Sequence, residues 1–288
     1  MTWLRSVPLL LACALAGCSS ARATPRAEAL APSVQPKPPT RRQVIQAVLH
    51  HSVRVKVLDG DEAQKLGSGV VIASRTGPEG AASYVVTNAH VVKNEGFAHE
   101  QVHVLIDDGE QVTELEAQVL AQGTVPALDL ALLQVKGVAL PPAALAGEEE
   151  LGLGDSIVVA AAPYGKDLSL SAGIVSQLEV DRTSHQATML KTDASIGYGA
   201  SGGGIFSLES GKLLAIVEGY RTAKVDFAVQ KQAYSFDVPM PGETFAAPTP
   251  KLRRFLREKG YASLLDGSPK VAARAEPQAV APGVKAGG

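Results

Sequence analysis

Lys191-Thr192-Asp193-Ala194-Ser195-Ile196-Gly197-Tyr198-Gly199-Ala200-Ser201-Gly202-Gly203-Gly204-Ile205-Phe206 is the stretch from which the rest of the chain is read. The glycines around Ser201 let the backbone turn sharply and aim amide N–H groups inward. A carbonyl oxygen arriving at Ser201 would then be hydrogen-bonded while Oγ attacks its carbon. The bland alternative is a flexible Gly/Ser loop. A histidine far upstream, in Tyr84-Val85-Val86-Thr87-Asn88-Ala89-His90, argues against it.

Gly199-Ala200-Ser201-Gly202-Gly203 also satisfies the Gly-x-Ser-x-Gly elbow of α/β-hydrolases, whose triad runs serine, acid, histidine along the chain. The six histidines are His50, His51, His90, His99, His103 and His185, and none follows Ser201. That order is therefore excluded. A subtilisin order needs an aspartate before the histidine, which Asp59 or Asp61 could supply, but it also needs a parallel α/β fold.

The pattern around these residues is instead rich in short strands. Val53 to Val57 alternates as a half-buried strand does, and β-type runs follow at 69–72, 84–86, 102–106 and 130–135. Residues 138–150 (VALPPAALAGEEE) read as a connector. A second set of runs lies at 156–160, 173–176, 187–190, 213–217 and 234–236. Regular short strands with few helices predict an all-β fold in two halves. Residues 251–259 (KLRRFLREK) are the best helix, with Leu252, Phe255 and Leu256 on one face. The reading of this basic helix is a cap packed on the domain.

The triad order left is histidine, aspartate, serine. Between His90 and Ser201, Asp129 stands in Leu128-Asp129-Leu130-Ala131-Leu132-Leu133, an apolar run in which a carboxylate must find a partner. An imidazole N–H would serve. Asp107 and Asp108 precede a glycine and read as turn residues, and Asp193 lies close to the serine loop.

These segments resemble the trypsin-like serine proteases, and within them the bacterial HtrA/Deg group. The matching stretches are 67–72 (GSGVVI), 84–92 (YVVTNAHVV), 128–135 (LDLALLQV), 153–156 leading to Pro163-Tyr164-Gly165, and 191–206, in the expected order over residues 45 to 240. The resemblance implies two packed six-stranded antiparallel β-barrels, about 45–137 and 151–240, within a protease domain of residues 43–245. It implies His90 as general base, Asp129 as the group orienting it, and Ser201 as nucleophile. The backbone N–H groups of Gly199 and Ser201 would form the oxyanion hole, and polypeptides would be the substrates. A trimer is implied by the resemblance alone. No cofactor and no metal is called for.

The chain departs from the family around the serine. Asn-Pro-Gly-Asn is usual before it; this chain has Gly197-Tyr198-Gly199-Ala200, and Gly204 replaces a proline. Ala200 offers no side chain to brace the loop, which predicts an oxyanion loop at rest in an inactive shape. No peptide-binding PDZ module fits after residue 245. In the specificity region, Ser195 lies six residues before the nucleophile and is expected near the pocket floor. Glu218-Gly219-Tyr220 would pair substrate backbone as an added strand, with Tyr234 or Ser235 as the opposite wall. An uncharged floor favours cleavage after small or medium apolar residues.

Residues 1–17 read as a signal peptide: Arg5 is followed by an apolar run ending Leu15-Ala16-Gly17-Cys18, which resembles a bacterial lipobox. Cys18 would carry the lipid and hold the protein at a membrane of the bacterial envelope, at the periplasmic face of the outer membrane. Residues 18–42, rich in Ala and Pro, read as a tether, and residues 246–288 as the helix and a disordered tail. The only other cysteine is Cys13, so the mature chain holds no internal disulfide and no cysteine nucleophile. A formal charge of −2 and 5% aromatic residues give no reason to expect nucleic acid as a partner.

Two other readings of the sequence compete with this one. His99-Glu100-Gln101-Val102-His103 fits the His-Glu-x-x-His zinc pattern, but that chemistry needs a helix, and the run into Val104-Leu105-Ile106 suits a hairpin strand. A catalytically silent, membrane-tethered binding module with the same fold is the second functional class.

Overall fold

The strands at the centre of this chain are apolar on both faces because both faces are covered. Along β2 (Glu62–Gly77) and β3 (Gly80–Thr87), Val71 and Val85 point into one barrel while Val70, Ile72 and Val86 point out of it. The outward set meets Val158, Phe206, Leu213 and Ile216 from the second half, so the outside of one barrel is the inside of a seam. Strict polar alternation is therefore missing from 84–92 and 128–135.

The computed structural model describes residues 38–265, apart from Asp61, Glu79, Asn94, Glu95, Ala98 and Lys231. The expected signal peptide, Cys18, nearly all of the expected tether and the residues after Leu265 lie outside the described residues. The fold is the expected one: two closed antiparallel barrels of six strands each. The first contains β1 (Ser52–Asp59), β2, β3, β4 (Glu100–Asp107), β5 (Val112–Gln122) and β6 (Ala131–Lys136), in the order β1-β2-β3-β6-β5-β4. The second contains β7 (Ser156–Ala161), β8 (Ser169–Val180), β9 (Ala187–Thr192), β10 (Gly204–Ser207), β11 (Leu213–Val229) and β12 (Gln232–Pro248), in the order β10-β11-β12-β9-β8-β7.

Two helices close the seam. Helix α1 (Arg41–His51) starts at a capping box in which Thr40 and Gln43 bond reciprocally, and it buries Val44 and Val48 between the barrels. Helix α2 (Thr249–Glu258) leaves β12 at Pro248 and buries Leu252, Phe255 and Leu256 in the same cluster. Each such side chain contributes roughly 1.5–3 kcal/mol by leaving water, which makes the seam a major part of the core.

One element was not anticipated. β11 and β12 outrun the barrel as a two-stranded ribbon, with Thr222 paired to Pro239 at its base and Val229 to Gln232 at its end. β12 meets β9 only at Thr244–Ala246. The sequence reading stopped the first of these strands at Val217 and gave the second only residues 234–236, because the ribbon's middle mixes Lys, Asp and Ala.

Candidate active site

His90 lies in the turn directly after β3, and its surroundings fix it from behind. Thr87 Oγ1 donates to the Ser68 carbonyl (2.8 Å), and Asn88 Nδ2 donates to the Asp129 carbonyl (2.7 Å). Ala89, Val91 and Val92 are buried. The backbone is thus pinned on both sides of His90 while its own side chain stays 39% exposed.

Asp129 sits between β5 and β6, held by the buried Leu130 beside it. Its side chain is only 10% exposed, and both oxygens face His90. Oδ1 accepts the His90 backbone N–H (2.9 Å), and Oδ2 accepts from Nδ1 (2.5 Å). A carboxylate can only accept here, so Nδ1 carries the proton and Nε2 is the ring nitrogen left without it.

Ser201 belongs to the other barrel, in the loop leading to β10. It shares with His90 a cleft of about 310 Å³ that is also lined by Ile196, Tyr198, Gly199, Gly219 and Tyr220. Among the described residues no hydrogen bond joins Ser201 Oγ to His90; in catalytic sites such bonds often tighten only once substrate is bound.

The loop before Ser201 is braced, and the brace comes from the first barrel. Ser68, on β2, donates its N–H to the Ser201 carbonyl (2.8 Å) and its hydroxyl to the Gly199 carbonyl (2.8 Å). The same hydroxyl accepts the Ala162 N–H (2.9 Å). The Tyr198 carbonyl accepts the Tyr164 N–H (2.5 Å), and in a trans peptide this turns the Gly199 N–H the opposite way. Neither Gly199 nor Ser201 donates its N–H to any group among the described residues, and both residues line the cleft. The glycines are sterically required: Gly199 has φ +86°, and a Cβ there would meet the Ala162 carbonyl oxygen at 2.7 Å.

A family model described as trypsin-like peptidase domain matches residues 67–216, which hold His90, Asp129 and Ser201. The chain belongs to the trypsin-like peptidase family. Among its relatives, a probable periplasmic serine endoprotease DegP-like of Ectopseudomonas mendocina is 32% identical over 210 residues, covering 73% of this chain and 40% of that protein. A protein of the same description from Pseudomonas putida is 36% identical over 151 residues, 51% of this chain and 28% of its own length. This trypsin-like chain therefore matches about two fifths or less of the length of these relatives. The fold recurs in the crystal structure of the serine endoprotease from Yersinia pestis, with a TM-score of 0.55 at 23% identity, covering 80% of this chain and 68% of that one.

Of the four residues expected around the substrate, Gly219 and Tyr220 line the cleft of this trypsin-like site. The structure departs from the sequence reading at Ser195, and at Glu218 it shows only the backbone facing the β11 edge. Ser195 is solvent-exposed and absent from the lining, where Ile196 stands instead. The backbone alternates outward at Ser195 because Ala194 is buried beside it, its carbonyl accepting from Thr244 Oγ1 (2.9 Å). Glu218 turns its carboxylate away from the cleft to Lys251 on α2 (2.7 Å), with both side chains about 10% exposed. Burial pushes the Glu218 carboxyl above its usual range, while the hydrogen bond and charge of Lys251 pull it back. Tyr234 and Ser235 stand on the ribbon and not in the cleft wall.

Ser68 and Lys251 were missed. For Ser68 the signal was present: a polar residue between two glycines in an apolar strand, now 1% exposed. Lys251 had none, being one of several basic residues on a helix. Aromatic residues also close around the cleft. Tyr198 packs edge-on against Tyr220 (5.9 Å between ring centroids), and burial, with the neighbouring Tyr198, pushes the Tyr220 hydroxyl up to about 12.

The remaining histidines are elsewhere. β4 is a strand of the β4–β5 hairpin, so His99 and His103 stand roughly 13 Å apart at strand rise and cannot share a metal in the helical manner. His99 donates its backbone N–H to Asp59, and His103 Nδ1 lies 2.8 Å from Glu114. His51 Nδ1 lies 2.9 Å from the Pro141 carbonyl, tying α1 to the connector.

Proposed function

We propose that this protein is a serine endopeptidase that hydrolyses polypeptides through an acyl-enzyme. The observation that carries the reading is the doubly bonded Asp129–His90 pair opening on the same cleft as Ser201. Asp129 fixes the imidazole tautomer; His90 Nε2 takes the Ser201 proton as Oγ attacks the scissile carbonyl, and returns it to the leaving amine. The oxyanion of the tetrahedral intermediate is received by the Gly199 and Ser201 N–H groups. Water then repeats the sequence on the acyl-serine and frees the enzyme.

Substrate backbone adds to the edge of β11 at Glu218–Tyr220, where Gly219 admits its close approach. The uncharged walls, Ile196, Gly219 and Tyr220, support cleavage after small or medium apolar side chains. Acylation at Cys18 would hold the enzyme at the periplasmic face of the outer membrane, where unfolded envelope proteins are the substrates; the periplasmic description of the relatives supports that location.

A fluorophosphonate probe tests this. It should label the purified mature chain at Ser201, and Ser201→Ala or His90→Ala should abolish labelling. Labelling that survives Ser201→Ala overturns the assignment. No labelling of folded wild type, even with unfolded protein added, would favour a silent binding module.

A further inference from the structure

β11 does two things in succession. At Gly219 and Tyr220 it lines the cleft, and from Thr222 to Val229 it forms one side of the ribbon. On its other edge β10 pairs it up to Ile216, and Gly203 takes Val217. Beyond Val217, among the described residues, no strand pairs that edge. An unpaired edge of roughly 40 Å, at a strand rise of about 3.3 Å per residue, therefore leads from the candidate cleft to the ribbon's end.

The ribbon is amphipathic. Cross-strand pairs Ala223–Val238, Val225–Phe236 and Phe227–Tyr234 share one face, and Lys224–Asp237 and Asp226–Ser235 the other. On the apolar face Phe227 stacks on Tyr234 (5.4 Å between centroids, 18°) and meets Phe236 edge-on (5.8 Å). These three rings remain 43–50% exposed. A two-stranded hairpin standing alone is marginal in water, so a third strand would stabilise it.

We infer that the ribbon is a docking strand for extended polypeptide: the segment N-terminal to the bond presented to Ser201 adds to β11 as a third strand, and sets every second side chain on the Val225–Phe227 face. This rests on the peptidase reading above. Direction follows from antiparallel addition, since every strand pair of the second barrel is antiparallel. β11 leaves the cleft toward the ribbon, so an antiparallel chain arrives from the ribbon and runs C-terminally into the cleft. The other edge is guarded: β12 contains Pro239 and Pro241, which have no N–H to offer, whereas β11 contains no proline. Size points the same way. Half-exposed aromatics show roughly 100 Å² each, so the face offers a few hundred Å², well below the roughly 800 Å² per partner of a stable complex between folded proteins. A peptide strand also gains main-chain hydrogen bonds along the edge, which a folded partner docked on the face would not.

The test uses a short cleavable peptide and the same core extended by eight residues of alternating apolar and polar character, on its N-terminal or C-terminal side. Binding is read by fluorescence anisotropy on Ser201→Ala protein, which needs no turnover, and cleavage is read on wild type. The N-terminal extension should tighten binding and raise kcat/KM by at least tenfold; the C-terminal one should do neither. N-methylation of alternate amides in the extension should remove the gain without touching the protein. On Phe227→Ser/Phe236→Ser protein the ratio of extended to core affinity should fall to near one, a ratio unaffected by any general loss of activity. Equal affinity for core and N-terminally extended peptides, or a gain that survives both N-methylation and the double variant, overturns the proposal. So does a double variant that changes assembly mass but not the ratio, which would assign the ribbon to contact between copies. Absent probe labelling together with tight, N-methylation-sensitive binding would reject the peptidase and keep the docking strand.

Discussion

The hydroxyl of Ser68, in the first barrel, donates to the carbonyl of Gly199, in the second, at 2.8 Å. Through this bond β2 holds the loop that precedes Ser201. The loop was expected to lack a brace because Ala200 cannot supply one. The brace is present, and it reaches in from the neighbouring barrel.

Ser68→Ala should therefore impair the site more than it impairs the fold. It leaves the Ala162 N–H and the Gly199 carbonyl without this partner, at about 1–3 kcal/mol for each group that stays buried and unsatisfied. Probe labelling at Ser201 should slow by about 10- to 100-fold, less than complete loss of an oxyanion donor. The chain should still unfold cooperatively, with its midpoint lowered by several degrees. Wild-type labelling kinetics in Ser68→Ala would remove the brace from the mechanism.

Asp129→Asn should keep the fold and lose the base. The amide can donate to Nδ1, which would move the imidazole proton to Nε2 and leave nothing to accept from Ser201. A loss of about 10⁴-fold in kcat is expected, as for the equivalent change in other triads. The rate of peptide hydrolysis measures the loss, and circular dichroism checks the fold.

Lys251→Met should strand the Glu218 carboxylate. Removing one partner of a buried pair costs about 3–5 kcal/mol. Burial already raises the Glu218 carboxyl above its ordinary value of 4.5, so the native state holds this proton more tightly than the unfolded chain does. That contribution is full below the ordinary value and is lost as pH rises through the native one. The variant should accordingly be nearer to wild type in stability at pH 4 than at pH 8, and Glu218→Gln added to it should flatten the difference. Urea unfolding at the two pH values measures this; a penalty independent of pH would mean that the methionine packs badly for other reasons.

Gly202→Ala should be among the most damaging single-methyl changes in the chain. Gly202 has φ +84°, and a Cβ would meet the Ser68 carbonyl oxygen at 2.1 Å and Thr87 Oγ1 at 2.4 Å. Both neighbours are held by the hydrogen bonds of the site, so neither can yield. Thermal unfolding should show a large loss of stability together with loss of labelling at Ser201.

The barrels were legible, and His90, Asp129 and Ser201 stood out as the candidate triad, because each left a local mark. His90 follows a strand end, Asp129 interrupts an apolar run, and Ser201 sits among glycines whose necessity is steric. Their order along the chain then selected one fold among three. What stayed hidden depends on distance. The Glu218–Lys251 pair gave no mark because Lys251 lies 33 positions later on a helix that looked like a cap. Ser195 was placed by counting back from the serine, but burial of Ala194 decides which way the backbone faces there. The ribbon was lost because both its faces are short of the period-two pattern at their ends, and its apolar rings are spread over two strands.

The seam between the barrels has a consequence for the behaviour of a population of such chains. His90 lies on one barrel, Ser201 on the other, and the cluster that joins them includes Val70, Val86, Phe206 and Ile216 as well as both helices. A molecule whose halves come apart keeps neither the loop brace nor the cleft that His90 and Ser201 share. On the proposed mechanism it would therefore stop being a catalyst at the moment it becomes digestible, and intact neighbours could clear it without any danger that the damaged copy cuts in return.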